Sequence, residues 1–245
     1  MKLQHSSWPE IEAYLTECRA ILIPIGSTEQ HGPIGMIGTD ILCPEIVAEA
    51  MAEQTRILIG PSLGIGMAQH HLAFPGSVSL RPSTLMRVLG DVVESLGAQG
   101  FTHFFFLNGH GGNIATVQAA FSEIWAAGSF AGQGSPVRLC LHNWFQGERV
   151  ARLSRELFAD GEGSHATPSE ISLVLAAYPQ DKRDVPLHPK QAPSGPIFDA
   201  ADFRRRHPDG RMGARSDLAT AEHGRRLRAA AAADALEVWH RFVAV

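Results

Sequence analysis

The sequence predicts an α/β fold, a mostly parallel sheet covered on both faces by helices. Apolar runs short enough to be strands alternate along the chain with longer stretches of helical periodicity. The strand runs are continuously apolar rather than alternating, as expected of strands buried on both faces. At 245 residues, 44% of them hydrophobic and 19% charged, the chain is long enough to bury a large core as one domain over 1–245.

Ile21-Leu22-Ile23-Pro24-Ile25-Gly26 is the first strand, with Pro24 arguing against a central position because proline cannot donate to a ladder. A glycine-rich loop leads to Thr39, a candidate cap for a helix over 40–54. Ile57-Leu58-Ile59-Gly60 is a second apolar run. The segment 64–83, broken by glycine and proline, reads as a long loop with an edge strand at 77–80. Pro82 opens a helix whose stripe is Leu85, Val88, Leu89, Val92, Val93 and Leu96, ending at Gly97 or Gly100. Then come a strand over 103–107, the loop Asn108-Gly109-His110-Gly111-Gly112-Asn113, a helix carrying Ile114, Val117, Phe121 and Trp125, and a strand over 137–142. Helices follow over 146–158, 168–177 and 217–242, while the proline-rich stretch 178–216 reads as packed loop. No internal repeat is present.

Composition excludes several function classes. The net charge is −4, and the only basic cluster, Arg204-Arg205-Arg206, reads as a solvated loop, so no nucleic-acid footprint is expected. No stretch approaches the roughly 20 apolar residues of a membrane span, and the amino-terminal residues lack a secretory pattern, which points to the cytoplasm. Cys18, Cys43 and Cys140 are odd in number and far apart, signalling neither disulfides nor a thiolate zinc site. Twelve histidines against two tyrosines hint at metal or proton chemistry.

The chemistry concentrates where such sheets place their sites, beyond the carboxyl ends of strands. Glu29-Gln30-His31 follows the first strand and Asp40 lies nine residues beyond His31, so one loop delivers two carboxylates and an imidazole. His110 reaches the same edge from another strand. Carboxylate and imidazole ligands suit zinc, manganese or iron, and an aspartate can bridge two cations. The glycines around His110 fit a backbone that approaches a metal or substrate closely in positive-φ conformations, or merely a tight connection to the next helix. A phosphate cradled at that helix start is a further reading, though the loop lacks a Walker lysine. In Ser164-His165-Ala166-Thr167-Pro168-Ser169-Glu170, Pro168 suits a first helical turn and sets Glu170 near His165; the pair could shuttle protons or ligate metal, or Glu170 could simply stabilise its helix start. Trp144 is a core residue or a wall for a flat substrate.

Taken together, Glu29-Gln30-His31-Gly32-Pro33, Gly38-Thr39-Asp40, Phe74-Pro75-Gly76-Ser77-Val78-Ser79, Asn108 to Asn113, His165 with Glu170, and Leu218 to Gly224 resemble the creatininase (creatinine amidohydrolase) family across most of the chain. The resemblance implies a three-layer α/β/α domain in a homo-oligomer, often a hexamer. It also implies two divalent cations per chain, zinc first with manganese or iron as alternatives, that serve hydrolysis of C–N bonds in small amides. Glu29, Asp40 and His110 would hold one cation, His31 and Asp40 the second, and His165 would be the catalytic histidine. Two places depart from the family. Gly112 stands where creatininases carry a glutamate for the second cation, a task that passes to Glu170. Residues 161–164 replace an aromatic that helps hold creatinine, which points to another amide substrate. The alternatives are a hydrolase of a lactone-type metabolite and a non-catalytic, metal-stabilised assembly protein.

Overall fold

In the computed structural model, which describes residues 1–244, β1 (Ala20–Ile25) is buried at every position. It pairs in parallel with β2 (His103–Asn108), which pairs in parallel with β3 (Arg138–Asn143), in the order β1-β2-β3. Continuous apolarity becomes two covered faces because successive side chains point opposite ways. Leu22, Phe105 and Leu107 pack on one side with residues of α2 (Thr39–Ala52), α5 (Glu148–Phe158), α6 (Pro168–Ala177) and α8 (Ala221–Val243). Ile21, Ile23, Phe104 and Phe106 pack on the other with α1 (Trp8–Leu15), α3 (Pro82–Gly97) and α4 (Ile114–Phe130). The result is the three-layer α/β/α arrangement. Each fully buried side chain in it contributes roughly 1.5–3 kcal/mol relative to an exposed one. Gly224 lets α8 lie close against α6, where a Cβ would meet the Ser172 carbonyl oxygen at 1.8 Å.

Four local expectations need correction, and one helix has no counterpart among them. Pro24 is not at an edge: on the side away from β2, residues 58–63 bond to β1 through Leu22 N to Leu58 O, Gly60 N to Leu22 O and Leu63 N to Pro24 O. Pro24 takes part through its carbonyl alone, which accepts from Leu63 N, so this side of the ladder lacks the one bond that a residue-24 N–H would have made. Thr39 is the first helical residue rather than the cap, which is Gly38, and its Oγ1 donates to Met36 O at 2.7 Å. The expected strand at 77–80 is a single bridge between Thr28 and Val78. The stretch 178–216 contains a short helix, α7 (Ala200–Arg206), which carries the arginine cluster and is capped by the Asp199 side chain on Asp202 N. The helix without a counterpart is α1, which opens on a capping box that Ser7 and Glu10 form around Pro9, with Ser7 N donating to Glu10 Oε2 at 2.7 Å.

Candidate metal centre

The carboxyl ends of β1 and β2 stay buried after their apolar residues run out. Ser27, Glu29, Gln30, His31, Asp40, Asn108, His110 and Asn113 are all buried. The two ends are drawn together by the start of α2, since a Cβ on Gly26 or Gly109 would lie 2.2 or 1.9 Å from the Asp40 carbonyl oxygen. The glycines at 109, 111 and 112 are therefore not there for positive φ, which none of them has. Gly109 and Gly112 provide space, and a Cβ on Gly112 would sit 2.4 Å from His110 Nε2. Asn108 and Asn113 fix the loop: Asn108 Oδ1 accepts from His110 N, and Asn113 Nδ2 donates to Gly26 O.

Three histidines share one device. His31 Nδ1 lies 3.1 Å from Glu29 O, His110 Nε2 3.0 Å from Met67 O, and His165 Nε2 2.8 Å from Gln30 O. A ring nitrogen beside a carbonyl oxygen is placed to donate its proton there, which in a neutral ring leaves the other nitrogen's lone pair for a cation; His165 Nε2 also lies 2.9 Å from the Gln30 side-chain nitrogen. Those free nitrogens face carboxylates: His31 Nε2 is 3.2 Å from Asp40 Oδ1 and 3.8 Å from Glu170 Oε1, His110 Nδ1 is 2.9 Å from Asp40 Oδ2, and His165 Nδ1 is 3.7 Å from Glu29 Oε1. Lone pairs and carboxylate oxygens repel unless positive charge lies among them, and backbone-tethered histidines of this kind are what metal sites use to aim their ligands. Glu29 Oε1 and Asp40 Oδ2 are buried without a hydrogen-bond partner.

The electrostatics carry the same message. Burial would push the His31 imidazole down, but Asp40 and Glu170 beside it outweigh this and raise it to about 10. Burial likewise works against protonated His110, and Glu29 and Asp40 override it. Burial pushes the Glu29 carboxyl up. Asp40 goes the other way, since the neighbouring His31 and His110 outweigh its burial and hold it well below the usual range. A cluster of carboxylates that needs protons to balance it offers the same charge deficit to a cation.

Within these residues, Glu29, Asp40 and His110 form one group that could hold a metal, and His31, Asp40 and Glu170 a second that shares Asp40. Glu29, His31 and His165 form a third. Glu170 does double duty: its Oε1 also accepts from Thr167 N at 2.5 Å, closing a capping box at the start of α6. No hydrogen bond or ion pair joins it to His165 among the described residues, so His165 is oriented by Gln30 instead.

Two further residues belong to the cluster. His71 Nε2 lies 3.2 Å from Glu29 Oε1, and its ring stacks on His165 with centroids 4.2 Å apart. Gln30 Nε2 reaches His71 Nδ1 and Gly210 O, both at 2.9 Å, while its Oε1 accepts from Gly32 N. The signal for His71 was present, a His-His pair in a long Gly/Pro-rich loop of the kind that carries function. Gln30 had none beyond its place between two ligand candidates. The cluster lies at a cavity of about 590 Å³ that is also lined by Trp144, Glu162, Ser169 and Phe203. Trp144 is both core and wall: it is 1% exposed, yet lines the cavity with its indole N–H unpartnered.

Comparison with known proteins follows the same lines. The family model described as creatinine amidohydrolase matches residues 4–239. The chain is 26% identical over 188 residues to a creatinine amidohydrolase of Pseudomonas putida, an alignment covering 71% of this chain and 70% of that one. It is 28% identical over 182 residues to a 3-dehydro-scyllo-inosose hydrolase of Thermotoga maritima, covering 72% of this chain and 56% of that protein. Over 118 residues it is 33% identical to a mycofactocin precursor peptide peptidase of Mycolicibacterium smegmatis, covering 46% and 47%. Among solved structures, a creatinine amidohydrolase crystal structure superposes with a TM-score of 0.82 at 23% identity, over 98% of this chain and 97% of that one. A manganese form of creatininase gives the same score at the same identity, over 98% of both chains.

Proposed function

This chain belongs to the creatininase family, and on that premise we propose that it is a metal-dependent amidohydrolase that cleaves a C–N bond in a small molecule. The observation that carries this reading is the placement of His31, His110 and His165 against backbone carbonyls, which aims their other ring nitrogens at carboxylate oxygens, two of which, Glu29 Oε1 and Asp40 Oδ2, are buried without a hydrogen-bond partner. Glu29, Asp40 and His110 would hold one divalent cation and His31, Asp40 and Glu170 the other, with Asp40 between them. Glu170 thereby replaces the carboxylate that Gly112 does not supply. Zinc is the first expectation, with manganese or iron as alternatives. Bound there, such cations would polarise a carbonyl and lower the pKa of water.

The rest of the reaction falls to the chain's own residues. Gln30 O holds the proton on His165 Nε2, so Nδ1 is the atom that accepts a proton and returns it to the departing nitrogen. Burial and the neighbouring His31 hold His165 well below its ordinary pKa, which keeps the ring neutral. His71, stacked on His165, prevents the ring from turning. A second reading, with His165 as a ligand, is favoured by its place in the third candidate group. The departures at Gly112 and at 161–164 favour a small cyclic or formyl-type amide other than creatinine. We also read the chain as a homo-oligomer, a hexamer by resemblance. The exposed apolar residues Ile37, Ile65, Leu72 and Val78 support this, and sedimentation would test it.

The deciding experiment is metal content by plasma mass spectrometry, with hydrolysis of creatinine and formamides assayed on the same samples. The expected outcome is about two equivalents of metal in the wild type, lost together with activity in Asp40→Ala. His165→Ala should keep its metal and lose turnover; loss of metal instead would favour the ligand reading. A wild type that takes up no divalent metal would overturn the proposal.

A further inference from the structure

Arg211 is a charged side chain with no exposed surface, and it does not line the cavity. Its guanidinium is spent inside the chain. Nε and Nη2 donate to Asp209 Oδ2 at 2.9 and 2.8 Å, Nη1 donates to Lys190 O at 2.7 Å and Ala214 O at 3.1 Å, and Nη2 donates to Pro189 O at 2.6 Å. A guanidinium has five N–H groups, so none is left for a ligand. Burying a charge is costly even when it is paired, and apolar side chains of similar volume often fill such places at no loss of stability. What the fork adds over filling is fixed geometry: it ties the turn 209–214 to the carbonyls of Pro189 and Lys190.

Three consecutive residues of that turn reach three parts of the site. Gly210 O accepts from Gln30 Nε2 at 2.9 Å, and a Cβ on Gly210 would lie 1.8 Å from Gln30 Oε1. The Arg211 stem lies against Gly32, the residue after His31, where a Cβ would meet Arg211 Cγ at 2.6 Å. Met212 and His165 exchange backbone bonds, Met212 N to His165 O at 3.2 Å and His165 N to Met212 O at 3.3 Å. Ser164 N to Met212 O at 2.9 Å and Arg215 N to Gly161 O at 2.8 Å extend the same pairing. We infer that Arg211 is a positioning residue: through its stem and its two neighbours it fixes Gln30 and the backbone at His31 and His165, so that both imidazoles meet the carboxylates at a constant distance. What His165 does for the reaction is taken from the amidohydrolase reading, and what Arg211 holds is taken from the geometry alone.

Arg211→Lys keeps the charge and most of the stem and loses the fork. It would be compared with wild type, Gln30→Ala and the double variant, each full-length, zinc-loaded and chelated. Hydrolysis of formamide and creatinine, metal content and the unfolding midpoint would be measured, and nitrogen NMR would read the ring tautomers of His31 and His165. Arg211→Lys should keep its metal and lose about tenfold in kcat with KM within about twofold. In the chelated protein its His165 should pass from one tautomer to a mixture. The double variant should lie within about twofold of the slower single variant, because both changes act through one set of contacts. A merely structural role would lower the unfolding midpoint and leave kcat and the ring signals of the folded protein at their wild-type values, which would overturn the proposal. Losses that multiply in the double variant would overturn it too. Should Arg211→Lys fail to fold, the chelated wild type still decides: mixed tautomers at His165, or a Met212 N–H that exchanges as fast as an exposed loop, would show that nothing is held there. Absent metal uptake and hydrolysis in the wild type would sink the amidohydrolase reading alone, since the NMR and exchange measurements need neither. Metal and turnover with unchanged rings in Arg211→Lys would sink this inference alone.

Discussion

The bodies of β1 and β2 and the loops at their carboxyl ends are equally buried and opposite in chemistry. Within the strands, Ile21 to Ile23 and Phe104 to Leu107 are fully buried among other apolar side chains. A few residues on, Glu29, His31, Asn108 and His110 are buried among carboxylates, imidazoles and amides. The first region is stable because burial removes apolar surface from water. In the second, burial strips charged groups of hydration, which is tolerated only where partners restore it. The amides of Asn108 and Asn113 have such partners; the carboxylates of Glu29 and Asp40 do not have them all. The difference teaches that burial stabilises the strand bodies directly, while the strand ends keep buried carboxylate oxygens, Glu29 Oε1 and Asp40 Oδ2, that the chain itself leaves unpartnered.

That contrast can be broken or sharpened experimentally. The largest effect is expected in the strand body. Phe105→Ala should cost about 3–5 kcal/mol in denaturant unfolding, and a cost under about 1 kcal/mol would remove the body's claim to support the fold. Next comes metal dependence. Zinc at about 1,000 times its dissociation constant should stabilise the chelated protein by about 4 kcal/mol, a rise of roughly 8–16 °C in Tm. Asp40→Asn should abolish that rise. Equal melting with and without zinc would mean that the polar end is self-sufficient. Smallest is the effect of Gln30→Ala, which keeps the backbone carbonyl at His165 Nε2 but removes the side-chain amide nitrogen that lies 2.9 Å from both His71 Nδ1 and His165 Nε2. Turnover should fall about 10–100-fold with metal content retained, whereas unchanged turnover would show that neither histidine needs the Gln30 side chain to be held in place.

The same contrast explains what the sequence revealed. Apolar runs that are continuous over β1 and β2 and periodic over α3 announce themselves, because a buried strand and a helix stripe are each local patterns. The start of α6 was legible to the residue through Thr167, Pro168 and Glu170, the same signal that Ser7, Pro9 and Glu10 offered at α1. The loop residues Glu29, His31, Asp40 and His110 stood out because carboxylate and imidazole beyond strand ends have few other uses. Gln30 and His71 did not, because their roles exist only across long separations, to Gly210 and to Glu29. Pro24 misled because proline's cost depends on which neighbour its missing N–H faces, and no local pattern reports that. The helix α7 was obscured by the prolines around it.

The pairing of 161–165 with 212–215 bears on how the molecule comes into being. His31, Asp40 and His110 arrive on two consecutive units of the sheet, but Gln30 must find Gly210 across 180 residues of chain. The entropy of closing such a loop grows only slowly with its length, yet it must be met before any contact across it can repay it. Folding therefore has a natural order in which the ligand-bearing edge can form from the first half of the chain, while the wall carrying Glu162 and His165 waits for the second. A chain arrested between those stages would have brought Glu29, Asp40 and His110 together without the His165 and Glu170 that complete the cluster.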